Sequence, residues 1–293
     1  MAASSAKPSV GFIGIGLMGM QMVLKLLEDG FPVTVWNLEP EACEPVVKAG
    51  AKQAANPAAV TAAADIVQIC VYDTKAVEAC VFGDDRIIAA ATPDKILVDH
   101  STITQEATVR MAGELHGKSG MGWVDAPVSG GPEASRIGQL TIMAGGEAGD
   151  IQRAWPAIDC LAGNFTHMGP IGSGQATKMI NQALVGVGFQ LVAEAVRLAE
   201  IAGIDVEKVP ACLAGGRADS SQLQACFERI AQRRLDPPTS RSKQMLKDMN
   251  LVVEYSRKKD AHLPLTEMST DIFKRFVDAG NGDEDPVSLF RML

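Results

Sequence analysis

The 293-residue chain is poor in aromatics, at 5%, and holds only four histidines. Few aromatics beside 28 glycines and 13 methionines suit packed helices and tight strand-to-helix turns better than a β-sandwich. No histidine stands in HExxH or HxE spacing, so no metal site is expected. The six cysteines (Cys43, Cys70, Cys80, Cys160, Cys212 and Cys226) include no CxxC pair, and several lie in apolar runs. They read as reduced thiols, which predicts a cytoplasmic protein. Basic residues are outnumbered, 27 Lys and Arg against 35 Asp and Glu, a net charge of -8 with no basic stripe interleaved with aromatics. That balance excludes a nucleic-acid partner, and Arg257-Lys258-Lys259 reads as a solvated helix end. No apolar run approaches the roughly 18 residues of a membrane span. The polar stretch Met1 to Ser9 lacks an apolar h-region, so neither a signal peptide nor an anchor is expected there.

With 47% apolar residues, the chain can bury one large core or two smaller ones, and two domains are expected. The first half alternates β-branched runs with helical stretches. Strands are predicted at 10–13, 32–36, 65–71, 96–99, 123–126 and 140–143, and a helix at 17–28 ended by Gly30. The 65–71 run is apolar enough for a strand buried on both faces. Beyond about residue 170 the strand signal disappears. Helical spacing without proline runs from Gly174 to about Ala202, too long for an ordinary helix and suited to one shared by two domains. Further helices are predicted at 205–214, 221–231, 241–260 and 264–279.

Gly14-Ile15-Gly16-Leu17-Met18-Gly19 is a GxGxxG that follows a strand and opens a helix. In that context Gly14 makes the tight turn, Gly16 lets backbone approach a pyrophosphate, and Gly19 allows close helix–strand packing, while the helix N-terminus attracts the phosphates. The expected fold is therefore α/β: a doubly wound Rossmann sheet over residues 1–170, then an all-α domain over 171–293, joined by the long helix. Strand two ends Trp36-Asn37-Leu38-Glu39. An acidic group there accepts from an unmodified ribose, whereas a 2′-phosphate wants a guanidinium, so NAD is favoured over NADP; Glu39 also reads as a solvated turn residue before Pro40. Leu17, Met18, Asn37, Glu39 and Val71 complete the cofactor-lining set drawn from this first half.

Asp125-Ala126-Pro127-Val128-Ser129-Gly130-Gly131 offers a hydroxyl and consecutive N–H groups suited to a carboxylate, though it reads equally as a plain glycine-rich loop. The first turns of the long helix carry Lys178, Asn181 and Gln182 at i, i+3 and i+4, so one helix face presents a lysine and two amides among apolar neighbours. A solvated stripe is the alternative.

The chain resembles the β-hydroxyacid dehydrogenase family through GFIGIGLMG at 11–19, VDHST at 98–102, DAPVSGG at 125–131, GPIGSGQATKMINQ at 169–182 and LKDMNLV at 246–252. The resemblance implies that Lys178 is the catalytic lysine and that Asn181 and Gln182 share its site. It implies that Ser129, Gly130 and Gly131 hold the substrate carboxylate, that Thr102 and Lys247 line the nicotinamide pocket, and that Asp248 orients Lys247. The family's pair of asparagines after the lysine is here Asn181-Gln182, which bears on substrate identity. NADP-type members commonly follow the strand-two asparagine with arginine; Leu38 stands there, in keeping with NAD.

The expected reaction moves a hydride between the dinucleotide and C3 of a small 3-hydroxy carboxylic acid. Lys178 takes the hydroxyl proton if desolvation or a neighbouring cation favours the amine, and its ammonium polarises the carbonyl in reverse. His100 reads as a packing residue more readily than as a base. The polar segment Ala214 to Ser220 points to a threonate-like rather than a 3-hydroxyisobutyrate-like acid, or else caps a helix. An imine reductase of the same fold and a catalytically silent NAD-binding interaction protein are the competing readings. A homodimer or homotetramer is expected.

Overall fold

A computed structural model describes residues 7–293, so most of the 1–9 segment judged from sequence lies outside the described residues. Ser9 lies inside them, and its N–H and hydroxyl donate to Asp65 at 2.8 and 2.7 Å. The chain forms two compact units that divide after Lys178.

The first unit holds β1 (Val10–Ile13), α1 (Leu17–Glu28), β2 (Val33–Trp36), α2 (Glu44–Lys48), β3 (Lys52–Gln53), α3 (Pro57–Ala62), β4 (Ile66–Ile69), α4 (Thr74–Val81), β5 (Ile96–Asp99), α5 (Gln105–Ser119), β6 (Gly122–Asp125), β7 (Val128–Ser129), α6 (Gly131–Arg136), β8 (Leu140–Gly145), α7 (Ala148–Asp159) and β9 (Ala162–Gly169). The sheet order is β3-β2-β1-β4-β5-β6-β8-β7, with β9 paired to β8. The strands from β3 to β6 are parallel, and β8 runs antiparallel to β6 and β7. Strand order reverses between β1 and β4, the switch point outside which open α/β sheets bind ligands.

Period-two alternation sends the strand side chains to two cores. Val10, Phe12, Ile66, Ile96, Val98 and Val124 pack with Met22, Val23 and Leu26 of α1 on one face. Ile13, Val67, Ile69, Leu97 and Trp123 pack with Val60, Val77, Met111 and Leu115 on the other. Helices α3, α4 and α5 open on side-chain caps from Asn56, Asp73 and Thr104. Three short or exposed strands escape the sequence reading. β3 and β7 have two residues each, and β9 is half exposed with no apolar alternation, the look of an edge strand.

Helix α8 (Ser173–Ile201) begins in the first unit and continues into the second, which adds α9 (Val209–Leu213), α10 (Ser221–Ala231), α11 (Ser242–Lys258) and α12 (Pro264–Phe276). The division falls inside α8 because the first turn of that helix is bonded to strand ends of the sheet. Phe227, Ile230 and Val196 centre one core of the second unit, and Met249, Phe273 and Phe276 another. Among the described residues, no helix is long and apolar enough to cross a membrane.

Candidate active site

The glycine turn sits at the switch point. Gly14 has φ +98°, and a Cβ there would lie 2.3 Å from the Cys70 carbonyl, so glycine is required. A Cβ on Gly19 would lie 2.0 Å from the Gly14 carbonyl; this close approach packs α1 onto the turn. Around Gly16 a Cβ would meet nothing within 4 Å, and no side chain caps α1. Open space beside an uncapped helix N-terminus is what a dinucleotide pyrophosphate needs, so these residues fit the cofactor. At the end of β2, Asn37 accepts from the Ile15 N–H at 2.8 Å and donates to the Glu39 carboxylate at 2.9 Å. One side chain thus shapes the turn and holds the Glu39 carboxylate at the end of β2. Val71 borders the same turn from the other side, its Cγ1 2.8 Å from a Cβ built on Gly14.

Asp99 closes β5, and its carboxylate accepts from the Ser101 N–H at 2.9 Å. Ser101 in turn accepts from the Val71 N–H at 3.0 Å, joining the ends of β4 and β5 around Thr102. Asp125 closes β6 and accepts the N–H groups of Gly172 and Gln175 at 2.7 and 2.9 Å. Burial pushes the Asp125 carboxyl up to about 6, against the downward pull of those N–H donors.

Lys178 is buried, and its Nζ donates to the Val128 carbonyl at 2.7 Å, immediately before Ser129-Gly130-Gly131. Gly130 has φ +131° and stands at the N-cap of α6, so the chain turns there directly after Val128 and Ser129. His100 is also buried, with Nδ1 2.8 Å from the Ala126 carbonyl, and burial pushes it down to about 4. A neutral imidazole tied to backbone fits the packing role.

The remaining residues gather in the second unit. Gln182 donates to Asp248 at 2.6 Å, and Lys247 lies 2.8 Å from the same carboxylate. Gly186 lets α8 and α11 approach, since a Cβ there would overlap Met249. Asn181 is half-buried on the same helix. Of the 214–220 segment, Ser220 caps α10 through the Leu223 N–H, and Asp219 accepts from Gly215 and Gln224. The capping alternative accounts for Ser220, while Asp219 ties the turn before α10 to that helix through the Gln224 side chain. Sequence reasoning missed Gln175, buried three residues before Lys178; a polar residue at i−3 from the lysine was the available signal.

Residues 9–169 match the family described as the NAD binding domain of 6-phosphogluconate dehydrogenase, and residues 172–293 the family described as NAD-binding of NADP-dependent 3-hydroxyisobutyrate dehydrogenase. The 2-hydroxy-3-oxopropionate reductase of Escherichia coli is 34% identical over 97% of this chain and 96% of its own length. The chain belongs to the β-hydroxyacid dehydrogenase family. Other members include the mitochondrial 3-hydroxyisobutyrate dehydrogenase of Homo sapiens, 29% identical over 99% of this chain and 88% of its own. The crystal structure of a Salmonella typhimurium 3-hydroxyisobutyrate dehydrogenase superposes with a TM-score of 0.88 at 27% identity, covering 97% of this chain and 99% of that one. Family membership makes the chain an NAD(P)-dependent hydroxyacid dehydrogenase built on a parallel-stranded cofactor domain and a helical C-terminal domain.

Proposed function

We propose that the enzyme uses NAD and transfers a hydride between it and C3 of a small 3-hydroxy carboxylate, with Lys178 as the acid/base. The carrying observation is the buried Lys178 ammonium on the Val128 carbonyl, next to the Ser129–Gly131 turn. Ser129 and the N–H groups of Gly130 and Gly131 hold the substrate carboxylate, which sets the C3 oxygen at the lysine. When bound, the nicotinamide supplies the hydride acceptor. In oxidation the Lys178 amine takes the C3 hydroxyl proton; in reduction its ammonium returns that proton and stabilises the developing negative oxygen. Thr102 lines the nicotinamide pocket, and the family resemblance assigns Asn181, Gln182, Lys247 and Asp248 further roles in the same reaction. The acid at Glu39, held by Asn37, favours NAD over NADP.

The name of the E. coli relative favours a short, hydroxylated substrate. A panel of C3–C5 hydroxyacids assayed with each dinucleotide identifies it. Lys178→Ala is expected to lower kcat by about a hundredfold or more while sparing NAD binding; a variant keeping about a tenth of kcat ends the reading.

The same reading includes a homodimer or homotetramer. Ile180, Leu184, Leu191, Leu198 and Ile201 share one face of α8, and each is at least 61% exposed. A monomeric mass in solution would refute assembly through this face.

A further inference from the structure

Gln175 is completely buried in the first turn of α8, its backbone N–H directed to the end of β6 and its side-chain amide to the loop after β5. Its backbone N–H donates to Asp125 at the end of β6, its amide nitrogen donates to the Ser101 carbonyl at 2.7 Å, and its amide oxygen accepts the Ile103 N–H at 3.2 Å. The two side-chain bonds bracket Thr102 from both sides. Ser101 also accepts from the Val71 N–H through its hydroxyl, so the loops after β4 and β5 are joined to each other, and Gln175 ties the loop after β5 and the end of β6 to the start of α8. A buried amide that satisfies two backbone groups is costly to replace by an apolar side chain, and the geometry it specifies is correspondingly narrow. Lys178 follows one turn later and faces the Val128 carbonyl.

We propose that Gln175 is a positioning residue that clamps the Thr102 loop in register with the helix turn carrying Lys178. The inference rests on Lys178 being the acid/base and Thr102 lining the nicotinamide pocket. The clamp holds the acid/base nitrogen and one wall of the nicotinamide pocket at a constant separation, a spacing on which proton and hydride movement both depend. It touches neither substrate nor cofactor.

The test compares Gln175→Met, similar in length and without hydrogen bonds, with Lys178→Ala in the full chain. With the best hydroxyacid and NAD, Gln175→Met is expected to lose about tenfold to a hundredfold in kcat, with the substrate KM and the NAD Kd changed by less than about threefold. The substrate deuterium isotope effect on kcat is expected to rise as hydride transfer becomes the slow step. A residue serving the fold alone lowers Tm and leaves that split and the isotope effect where they were. Should the methionine variant fail to fold, Gln175→Glu keeps the acceptor for Ile103 and removes the donor to Ser101, and the same kinetic pattern is expected of it. A folded variant with kcat within about twofold of wild type overturns the proposal, and so does failure of both variants to fold. If Lys178→Ala stays active, the reading of the site falls, and the clamp with it. If Lys178→Ala is dead and Gln175→Met is unimpaired, the clamp alone falls.

Discussion

The carboxylate of Asp125 accepts the backbone N–H of Gln175 at 2.9 Å, so the end of β6 and the start of α8 share one buried acid. Because its carboxyl is held at about 6, above the ordinary 3.8, folding favours the protonated form. The stability this group contributes is full below about pH 4 and is lost as pH rises through about 6. Asp125→Asn cannot titrate. In urea unfolding, the stability of wild type relative to this variant is expected to fall by about 3 kcal/mol between those limits and to be flat above them. A difference independent of pH would refute the raised carboxyl.

His100 works in the opposite direction. Burial lowers it to about 4, so folding favours the neutral ring, and its contribution is full above about 6.5 and lost as pH falls toward 4. Relative to His100→Gln, wild type is expected to gain stability as pH rises through that window, read from urea midpoints. The kcat profile above that window is expected to keep its shape, since the ring is bonded to the Ala126 carbonyl and carries no proton to the substrate.

The two glycines of the turn separate folding from binding. A methyl group at Gly16 meets no protein atom, so Gly16→Ala is expected to keep the wild-type Tm and weaken NAD binding by about tenfold or more, measured by titration of the apoenzyme. Gly19→Ala drives a methyl into the Gly14 carbonyl and is expected to lower Tm as well. Equal effects from the two would contradict the open space at Gly16.

Leu38 is 75% exposed beside Glu39. Leu38→Arg adds a guanidinium at the end of β2, beside the acid proposed to select NAD. It is expected to raise kcat/KM for NADP relative to NAD by about tenfold, corresponding to one charge-assisted contact. An unchanged ratio would remove this turn as the seat of dinucleotide choice.

The glycine turn, the main strands and the long helix were legible because local patterns create them: period-two runs, a GxGxxG between strand and helix, and helical spacing without proline. β3, β7 and β9 were not, since short or exposed edge strands carry no apolar alternation and owe their existence to a neighbouring strand. The order of the family-like motifs singled out Lys178, Ser129–Gly131, Thr102 and Asp248, whose roles are those proposed above. In residues 214–220, Ser220 and Asp219 bond to backbone and amide donors of their own region, a use of polarity that the sequence alone does not distinguish from a substrate contact.

The sequence by itself determined a parallel α/β unit followed by helices, a dinucleotide turn and a lysine in the first turns of the long helix, all consequences of periodicity and spacing within short stretches of chain. Only the tertiary structure decided that Asp125 receives the start of α8, that the Gln175 amide brackets Thr102 in a loop more than seventy residues upstream, and that Gln182 and Lys247 meet on Asp248. Those bonds join residues far apart along the chain, and a buried polar group takes whatever partner packing brings within reach.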